Sequence, residues 1–414
     1  MSKPSPIANT VAHRTPLRQT RAIVDFDTLA NNLTLLAKHA DAAGVMPLLK
    51  ADAYGHGIVP VARQFQQLGA AMLGVANAQE LEVLRKAGID TPILVLEELF
   101  DGELESAIRN NGHLSVGDLR YAERLSQVAV RVGLDVGVHL NVDLDIGRMG
   151  LLDESVEPVA EQLAKLPGIR VYGLYGHFPN ADEADLAPTR SQLQRFEQIV
   201  ARIAELLPDL RYRHVANSGA VLQLGRHAAF DLVRPGIALY GIAPSPEVQV
   251  PQGVRPALSL VSRIVRINRY RRKGTVGYGM TYTAHPGAAI AVIPIGYGDG
   301  YPRALSNCGS VLIGGREAPI VGRVSMDMIT VDITDHPASP QVGDSVVLIG
   351  TQADAAGAER SIEAADIAVL CDTIPYEITC NLAARIPRVY RSGGQDVAWS
   401  VAGEGLTASE GIDR

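Results

Sequence analysis

Short apolar runs alternate with amphipathic helical patterns from Thr20 to about Gly241. The first run, Arg21–Phe26, is rich in β-branched and apolar side chains, which favours a strand. Asp27 then stands where the N-cap of a helix is expected. The apolar residues after it recur at helical spacing, which predicts a helix with one buried face. That face carries Leu29, Leu33, Leu36 and Ala37.

Eight further apolar runs follow from Met46 onward, with helical patterns between most of them. Runs that are apolar throughout are typical of strands buried on both faces, as in a parallel sheet covered by helices. Eight such units in about 200 residues predict a (β/α)8 barrel, with a six- or seven-stranded doubly wound sheet as the alternative. Arg21–Phe26 lies outside the even spacing and is not counted. The eight runs lie near residues 46, 72, 92, 113, 136, 171, 211 and 230.

The pattern changes beyond Pro251, where Gly and Pro divide a series of β-rich segments. The sequence therefore predicts a mainly β domain at residues 253–400. It follows a barrel domain at residues 21–252, whose first strand is expected to pack with the β domain. A flexible tail is predicted at residues 1–20 and a frayed one at residues 401–414.

The composition supports a large packed core and argues against several classes of partner. Hydrophobic residues make up 47% and charged residues 20% of the 414 positions, as in globular proteins. The net charge of −7 and the lack of a long basic run argue against nucleic acids and anionic membranes. No segment reaches the ~20 apolar residues of a membrane-spanning helix. Three sparse cysteines without metal-ligand spacing fit a reducing compartment, so we expect a cytoplasmic protein without a metal site.

Polar residues follow the apolar runs at the ends of predicted strands, where barrel active sites lie. One polar strand end is uninformative, but five around one rim predict a site. Lys50, after the first run, is either a solvated strand end or a Schiff-base lysine whose pKa is lowered by burial. Its position alone leaves the two interpretations about equal. The polar strand ends are Lys50, Asn141–Arg148, His177, Asn217–Ser218 and Arg234–Ile237.

Two glycine-containing loops, Asn217–Gly219 and Pro235–Ile237, follow the seventh and eighth runs. Barrels often bind phosphate at these loops, although both could be ordinary turns. A lysine and a phosphate-binding loop on one rim are what pyridoxal 5′-phosphate (PLP) requires. Arg234 and His177 are either structural or part of such a site. An arginine beside the pyridine nitrogen would keep it unprotonated and favour removal and return of a proton.

Eight sequence stretches, in the right order over both predicted domains, resemble the alanine racemases, bacterial PLP enzymes with a barrel and a β domain. The resemblance extends from about Arg21 to Arg391. It implies that the chain interconverts L- and D-alanine and supplies D-alanine for cell-wall peptidoglycan. The stretches are KADAYGHG (50–57), HFPNADE (177–183), HVANS (214–218), VRPGIALYG (233–241), VGYGMTY (276–282), PIGYGDGY (294–301), IVGRVSMD (320–327) and PYEITC (375–380).

The resemblance assigns roles to residues at the matching positions. It implies that Lys50 carries the cofactor and acts as a base on one side of the substrate, with Tyr278 as the base on the other side. In the family this tyrosine reaches the cofactor of the second subunit, which implies a head-to-tail homodimer with shared active sites. Arg234 matches the partner of the ring nitrogen, and His177 matches the histidine near the ring. The phosphate contacts match Tyr54, Ser218, Gly236, Ile237 and Tyr376.

Three further matches concern the substrate, namely Arg148 and, from the second subunit, Met326 and Tyr297. Many relatives have a carbamylated lysine seven positions before the arginine, but this chain has Asn141 there. Asparagine cannot be carbamylated, so the negative charge is either absent or supplied by a bound anion such as chloride. The segment LDIGR (144–148) also replaces the commoner TGMGR.

Racemisation of other amino acids is the nearest alternative function, because Tyr297 and the segment before Arg148 control the size of the pocket. A decarboxylase is disfavoured, since neither its Gly-rich phosphate loop nor its β-domain cysteine pattern is found. A non-catalytic PLP carrier would lack the domain that bears Tyr278 and Met326. A cofactor-free Schiff-base aldolase would not need Arg234 facing a ring.

Overall fold

The computed structural model describes residues 16–42, 44–401 and 405–408. Most of the two predicted tails, residues 1–20 and 401–414, lies outside the described residues. A helix-covered barrel comes first along the described chain, and a mainly β domain follows it. None of the described helices combines the length and the apolar character needed to cross a membrane.

Six parallel strands form the continuous part of the barrel wall, and they neighbour each other in sequence order. Leu73–Val75 and Ile93–Val95 are buried at every position, because helices cover the outside of the wall and side chains fill its interior. The six strands are Leu73–Val75, Ile93–Val95, Gly112–Val116, Val136–Val142, Ile169–Gly176 and Tyr212–His214.

Two extended segments close this sheet into a barrel. Leu48 pairs in parallel with Gly74 on one side, and Val45 pairs in parallel with Val233 on the other. Backbone hydrogen bonds also join the segment around Val233 to the seventh predicted run. All eight predicted runs are therefore part of one closed wall. The (β/α)8 barrel is confirmed and the doubly wound sheet is excluded.

Amphipathic helices surround the barrel, and four of the eight named below are capped by a side chain at the N-terminus. Asn77 and Asp118 each accept a hydrogen bond from the backbone N–H three residues ahead. The first helix is capped by Asp25 and not by the predicted Asp27, since Asp25 Oδ1 accepts from Thr28 N over 2.7 Å. The helices are Phe26–Ala40, Ile58–Gln67, Ala78–Lys86, Asp101–Arg109, Leu119–Val132, Asp153–Leu163, Ala187–Ile203 and Ser218–Leu224.

The C-terminal domain is mainly β, as predicted, and contains the first strand of the chain. Arg21–Asp25 pairs antiparallel with Leu258–Arg263 and parallel with Arg388–Ser392. The chain between residues 241 and 257 has no strand or helix, and we propose that the domain boundary lies there. The other strands of this sheet are Ser310–Ile313, Arg316–Pro319, Ser345–Ala353, Glu359–Ile362, Gln395–Val401 and Gly405–Ala408.

Smaller elements complete the β domain. A three-stranded sheet consists of Arg266–Arg269, Ala289–Ile293 and Ile329–Asp332. A hairpin consists of Gly274–Val276 and Tyr282–Ala284, joined through the short helical turn Tyr278–Met280. Two short helices are Ala364–Leu370 and Pro375–Cys380.

The described residues include parts of both predicted tails. The Arg18 guanidinium donates to both oxygens of Asp299, over 2.7 and 2.9 Å, and Thr20 is fully buried. At the other end, Gly405–Ala408 pairs antiparallel with Gln395–Val401. A buried carboxylate distant in sequence therefore binds the described part of the first predicted tail, and the neighbouring strand pairs with the described part of the second.

Candidate active site

A cavity of about 290 Å³ lies at the C-terminal rim of the barrel. Its walls come from residues at the ends of several strands, where the active sites of (β/α)8 barrels lie. Four side chains predicted for one site, those of Lys50, Arg148, His177 and Arg234, all line it. Asn141 and Tyr175 line the cavity as well.

The first barrel segment ends in one turn of left-handed helix, Lys50–Tyr54, called here the lysine turn. The φ angles of residues 51–54 lie at 53–54°, in the region that non-glycine residues avoid. This conformation costs about 1–2 kcal/mol per residue. The sequence, which contains KADAY here, predicts only a strand end. Contacts from the rest of the fold must therefore hold the turn.

Lys50 is half-buried at the beginning of this turn. Burial lowers the pKa of its amine, the nearby charge of Arg148 lowers it further, and the carboxylates of Glu80 and Glu97 partly oppose both effects. A neutral amine is the form that attacks a carbonyl or accepts a proton. The position therefore suits a reactive lysine better than a solvated strand end.

The loops that follow the seventh and eighth predicted runs are joined to each other by hydrogen bonds. The Ser218 hydroxyl oxygen accepts hydrogen bonds from Gly236 N over 2.9 Å and Ala238 N over 3.3 Å. A Cβ at Gly236 would overlap the hydroxyl of Tyr54, so only glycine fits there. Backbone N–H groups and hydroxyls gathered in this way suit a phosphate group.

Two tyrosines stand beside these loops. The rings of Tyr54 and Tyr376 are tilted against each other with centroids 6.0 Å apart. Burial raises the pKa of both phenols, so both hydroxyls stay neutral and can donate hydrogen bonds. Ile237 is buried at the beginning of the short helical turn Ile237–Tyr240. The structure thus brings together the five residues that the resemblance assigns to the phosphate.

The Arg234 guanidinium is buried and aimed by the barrel backbone. Nη1 donates to His214 O over 2.7 Å and Nη2 donates to Gly176 O over 2.8 Å. The cation also lies 5.2 Å from the centre of the Tyr175 ring. Burial lowers the pKa of Arg234 to about 10, so it remains a cation at neutral pH.

His177 lies next to this arginine, with Nδ1 3.5 Å from Nη2 of Arg234. Burial, followed by the charges of Arg234, Arg148 and Lys50, lowers the pKa of His177 to about 3. The imidazole is therefore neutral at physiological pH. It adds no further charge to a cavity that already holds two arginines and a lysine.

A chain of three imidazoles, those of the buried His214 and His139 and the half-buried His113, extends from Arg234 along the barrel interior. Nδ1 of His214 lies 2.9 Å from Nη1 of Arg234. Nε2 of His214 lies 2.8 Å from Nδ1 of His139, and Nε2 of His139 lies 3.0 Å from Nδ1 of His113. Space for His139 comes from Gly173, where a Cβ would overlap the imidazole.

This histidine chain was not predicted from the sequence. Its only signal is one histidine in each of three predicted strands, which becomes a cluster only when the barrel closes. Burial lowers the pKa of all three imidazoles, that of His113 to about 4. They are neutral at physiological pH and pack behind the arginine.

Three predicted site residues lie apart from the cavity, on the β domain. The side chains of these residues are exposed: 75% for Tyr278, 44% for Tyr297 and 53% for Met326. Such exposure of large apolar side chains often marks an interaction site. The cavity walls come from barrel residues, between Leu48 and Arg234. Within one described chain these two groups of residues do not form a single site.

Comparison with known proteins finds matches over both domains. Family models described as "Alanine racemase, N-terminal domain" and "Alanine racemase, C-terminal domain" match residues 24–244 and 257–390. The alanine racemase of Syntrophobacter fumaroxidans is 41% identical over 373 residues, which cover 89% of this chain and 97% of the relative.

Solved structures give the same result. Alanine racemase from Bacillus anthracis with bound L-Ala-P has a TM-score of 0.86 at 32% identity, covering 94% of this chain and 98% of that one. Alanine racemase from Bartonella henselae with covalently bound pyridoxal phosphate has a TM-score of 0.79 at 28% identity, covering 90% and 99%. These matches span both domains and confirm the resemblance found in the sequence. The chain belongs to the alanine racemase family.

Proposed function

We propose that this chain is a PLP-dependent isomerase that interconverts L- and D-alanine with two bases, Lys50 and Tyr278 of a partner subunit. One observation carries the proposal: Lys50 and Arg234 line one cavity at the barrel rim, and the joined loops around Ser218 and Gly236 lie against Tyr54 of the lysine turn. The Bartonella henselae relative has PLP bound covalently, and the Bacillus anthracis relative has L-Ala-P bound. Both observations support the same cofactor and substrate class here.

The residues on the rim fit PLP. Lys50 would attach it, Arg234 would face the pyridine nitrogen, and His177 would lie near the ring. When bound, PLP supplies an electron-withdrawing ring that makes the α-proton of an attached amino acid more acidic. The phosphate would be held by Tyr54, Ser218, Gly236, Ile237 and Tyr376.

Lys50 holds or releases the α-proton on one side of the substrate. Its lowered pKa increases the neutral fraction of the amine at working pH, as a base requires. Arg234 stays charged and only donates, so it does not pass its proton to the ring nitrogen. A ring with an unprotonated nitrogen withdraws electrons from the α-carbon less strongly, which favours return of a proton over slower side reactions.

Tyr278 of the partner subunit acts on the opposite side. Inversion requires that one proton leaves and another arrives from the opposite side, so the two bases must flank the α-carbon. The exposure of Tyr278, Tyr297 and Met326 on their own chain supports a head-to-tail homodimer in which each β domain covers the partner's cavity. Met326 and Tyr297 would then narrow the entrance, while Arg148 binds the substrate carboxylate.

Asn141 lines the cavity with Arg148 but carries no charge. We propose that an anion such as chloride binds beside this asparagine and orients the arginine, in place of a carbamylated lysine. We further propose that the enzyme is cytoplasmic and supplies D-alanine for peptidoglycan. The segment LDIGR, which ends at Arg148, and the proposed position of Tyr297 at the entrance keep a broader-specificity racemase as the second candidate.

Spectroscopy and racemisation in heavy water test the proposal together. The full chain with PLP should show a near-visible absorption band that borohydride removes, with the reduced label on Lys50. L-alanine in D₂O should gain deuterium at the α-carbon while its optical rotation falls to zero. A colourless protein would contradict the cofactor, and exchange without inversion would contradict the second base. A panel of L-amino acids distinguishes alanine from broader specificity.

A further inference from the structure

The lysine turn depends on a carboxylate that none of the proposed roles uses. Glu80 Oε1 accepts a hydrogen bond from Ala51 N over 2.8 Å. Its other oxygen, Oε2, accepts from Ala76 N over 2.7 Å. Ala51 directly follows Lys50, and Ala76 directly follows the second barrel strand and lines the cavity. One side chain therefore ties the strained turn to the neighbouring strand end.

The position of Glu80 is itself fixed. The residue lies in the first turn of helix Ala78–Lys86, and its backbone N donates to Oδ1 of the capping Asn77 over 3.0 Å. This geometry directs the carboxylate toward the rim and away from the outer surface of the barrel. Burial and Arg148 lower the pKa of Lys50, whereas the negative charge of Glu80 raises it. Glu80 thus affects both the direction and the charge of the lysine.

We propose that Glu80 is a positioning residue for Lys50, holding the left-handed turn that presents the amine to the cavity. The proposal rests on the proposed function, since it concerns the lysine of that site. Two backbone N–H groups need two acceptor oxygens, which a carboxylate supplies. A glutamine in the same place offers one acceptor and an NH₂ group, which cannot accept from the second N–H.

The alternative is that Glu80 only stabilises the helix end, as acidic residues in a first turn often do. Asn77 already caps this helix through its side chain. A purely structural role would change the melting temperature, and the lost charge would shift the titration of Lys50, but the turnover of folded enzyme would stay unchanged. Turnover therefore separates the two roles.

The test compares Glu80→Gln with the matched control Glu82→Gln. Glu82 lies on the same helix but pairs with Lys86 on the surface. In the full chain purified without cofactor, the rate of acylation of Lys50 is measured against pH by mass spectrometry. The pH midpoint of Lys50 acylation should be lower in Glu80→Gln, because a negative charge that favours the ammonium form of Lys50 is lost. It should not move in Glu82→Gln.

Turnover provides the second measurement. With PLP restored, Glu80→Gln should lose roughly 10- to 100-fold in kcat with little change in KM, because a misaimed base affects the chemical step more than binding. Glu80→Asp keeps the charge but is one methylene shorter. This variant should therefore retain the acylation midpoint of the unsubstituted chain and still lose kcat. It tests the role of Glu80 if Glu80→Gln does not fold.

These measurements distinguish a failure of the role of Glu80 from a failure of the proposed function. Equal kcat in Glu80→Gln and Glu82→Gln would overturn the role of Glu80. A shifted midpoint in a chain that does not racemise alanine even when unsubstituted would overturn the proposed function while supporting the action of Glu80 on Lys50.

Discussion

Nη1 of Arg234 lies 2.9 Å from Nδ1 of His214, and this single contact determines the tautomers of three histidines. Arginine can only donate hydrogen bonds. His214 must therefore accept at Nδ1 and carry its proton on Nε2. That Nε2–H donates to Nδ1 of His139, which in turn donates from Nε2 to His113. The hydrogen bonds through the three histidines therefore all point away from Arg234, because the arginine can only donate.

The first prediction is that His214, His139 and His113 are all neutral with the proton on Nε2. ¹⁵N NMR of the labelled full chain should show this tautomer and no titration between pH 6 and 8, because burial lowers the pKa of each. His56 is the internal control. Its Nδ1 lies 3.0 Å from Tyr54 O, a pure acceptor, so it should show the opposite tautomer.

A proton on Nδ1 of His139, or a charged imidazole in the chain, would contradict this assignment. His56 should remain neutral over the same range, since burial lowers its pKa to about 4. The sign follows from burial, which disfavours the charged form of a histidine. Acidification toward pH 4 should therefore protonate His113 before either of the two deeper imidazoles.

Much of this site could be predicted from the sequence, because strand ends carry their own signal. Lys50, His177 and Arg234 each follow an apolar run, and a closed barrel must bring such positions to one rim. The lysine turn could not be predicted in this way. Residues 51–54 are L-amino acids in a conformation that local sterics oppose. Contacts distant in sequence hold it, since Glu80 accepts from Ala51 N and Arg388 Nε donates to Gly55 O directly after the turn.

The N-cap of the first helix could not be predicted from the local sequence either. Asp25 and Asp27 are both acceptable N-caps by residue type. The structure uses Asp25, and the Asp27 carboxylate accepts from Ser392 Oγ over 2.8 Å and Gly393 N over 2.6 Å. The choice depends on a loop more than 360 positions away in the sequence. Local patterns contain no information on such a contact.

The second prediction concerns Gly236→Ala, which should weaken PLP binding roughly tenfold or more. The added Cβ would overlap the Tyr54 hydroxyl, and overpacking of this kind costs about 1–3 kcal/mol. Titration of the near-visible band measures the affinity. Gly102→Ala is the control, because a Cβ there meets nothing within 4 Å. Equal PLP affinity in the two variants would contradict the tight approach at Gly236.

The third prediction concerns the proposed anion beside Asn141. Replacing chloride by gluconate at constant ionic strength should lower kcat/KM roughly tenfold, the effect of losing one charge-assisted contact to Arg148. Bicarbonate should not restore activity, because asparagine cannot be carbamylated. Asn141→Asp supplies a fixed negative charge and should make the rate independent of chloride. A rate of the unsubstituted chain that is already independent of chloride would refute the anion site.

The fourth prediction is that Tyr278→Phe loses racemisation by ~10²-fold or more while PLP remains bound, because a general base on one side is removed. Polarimetry measures the rate and the absorption band measures the cofactor. Tyr270→Phe, a change in the same domain at a hydroxyl 3.4 Å from Thr275 O, should remain active. Full activity of Tyr278→Phe would exclude the tyrosine as the second base.

The fifth prediction tests whether each active site uses two chains. Lys50→Ala and Tyr278→Phe should each be inactive alone, yet a 1:1 mixture that exchanges subunits should recover about a quarter of the activity. Half of the dimers would be mixed, and one of the two sites in each mixed dimer would contain both bases. If both bases came from one chain, every site would lack one of them and mixing would restore nothing. The exposure of Tyr278 on its own chain favours the first outcome.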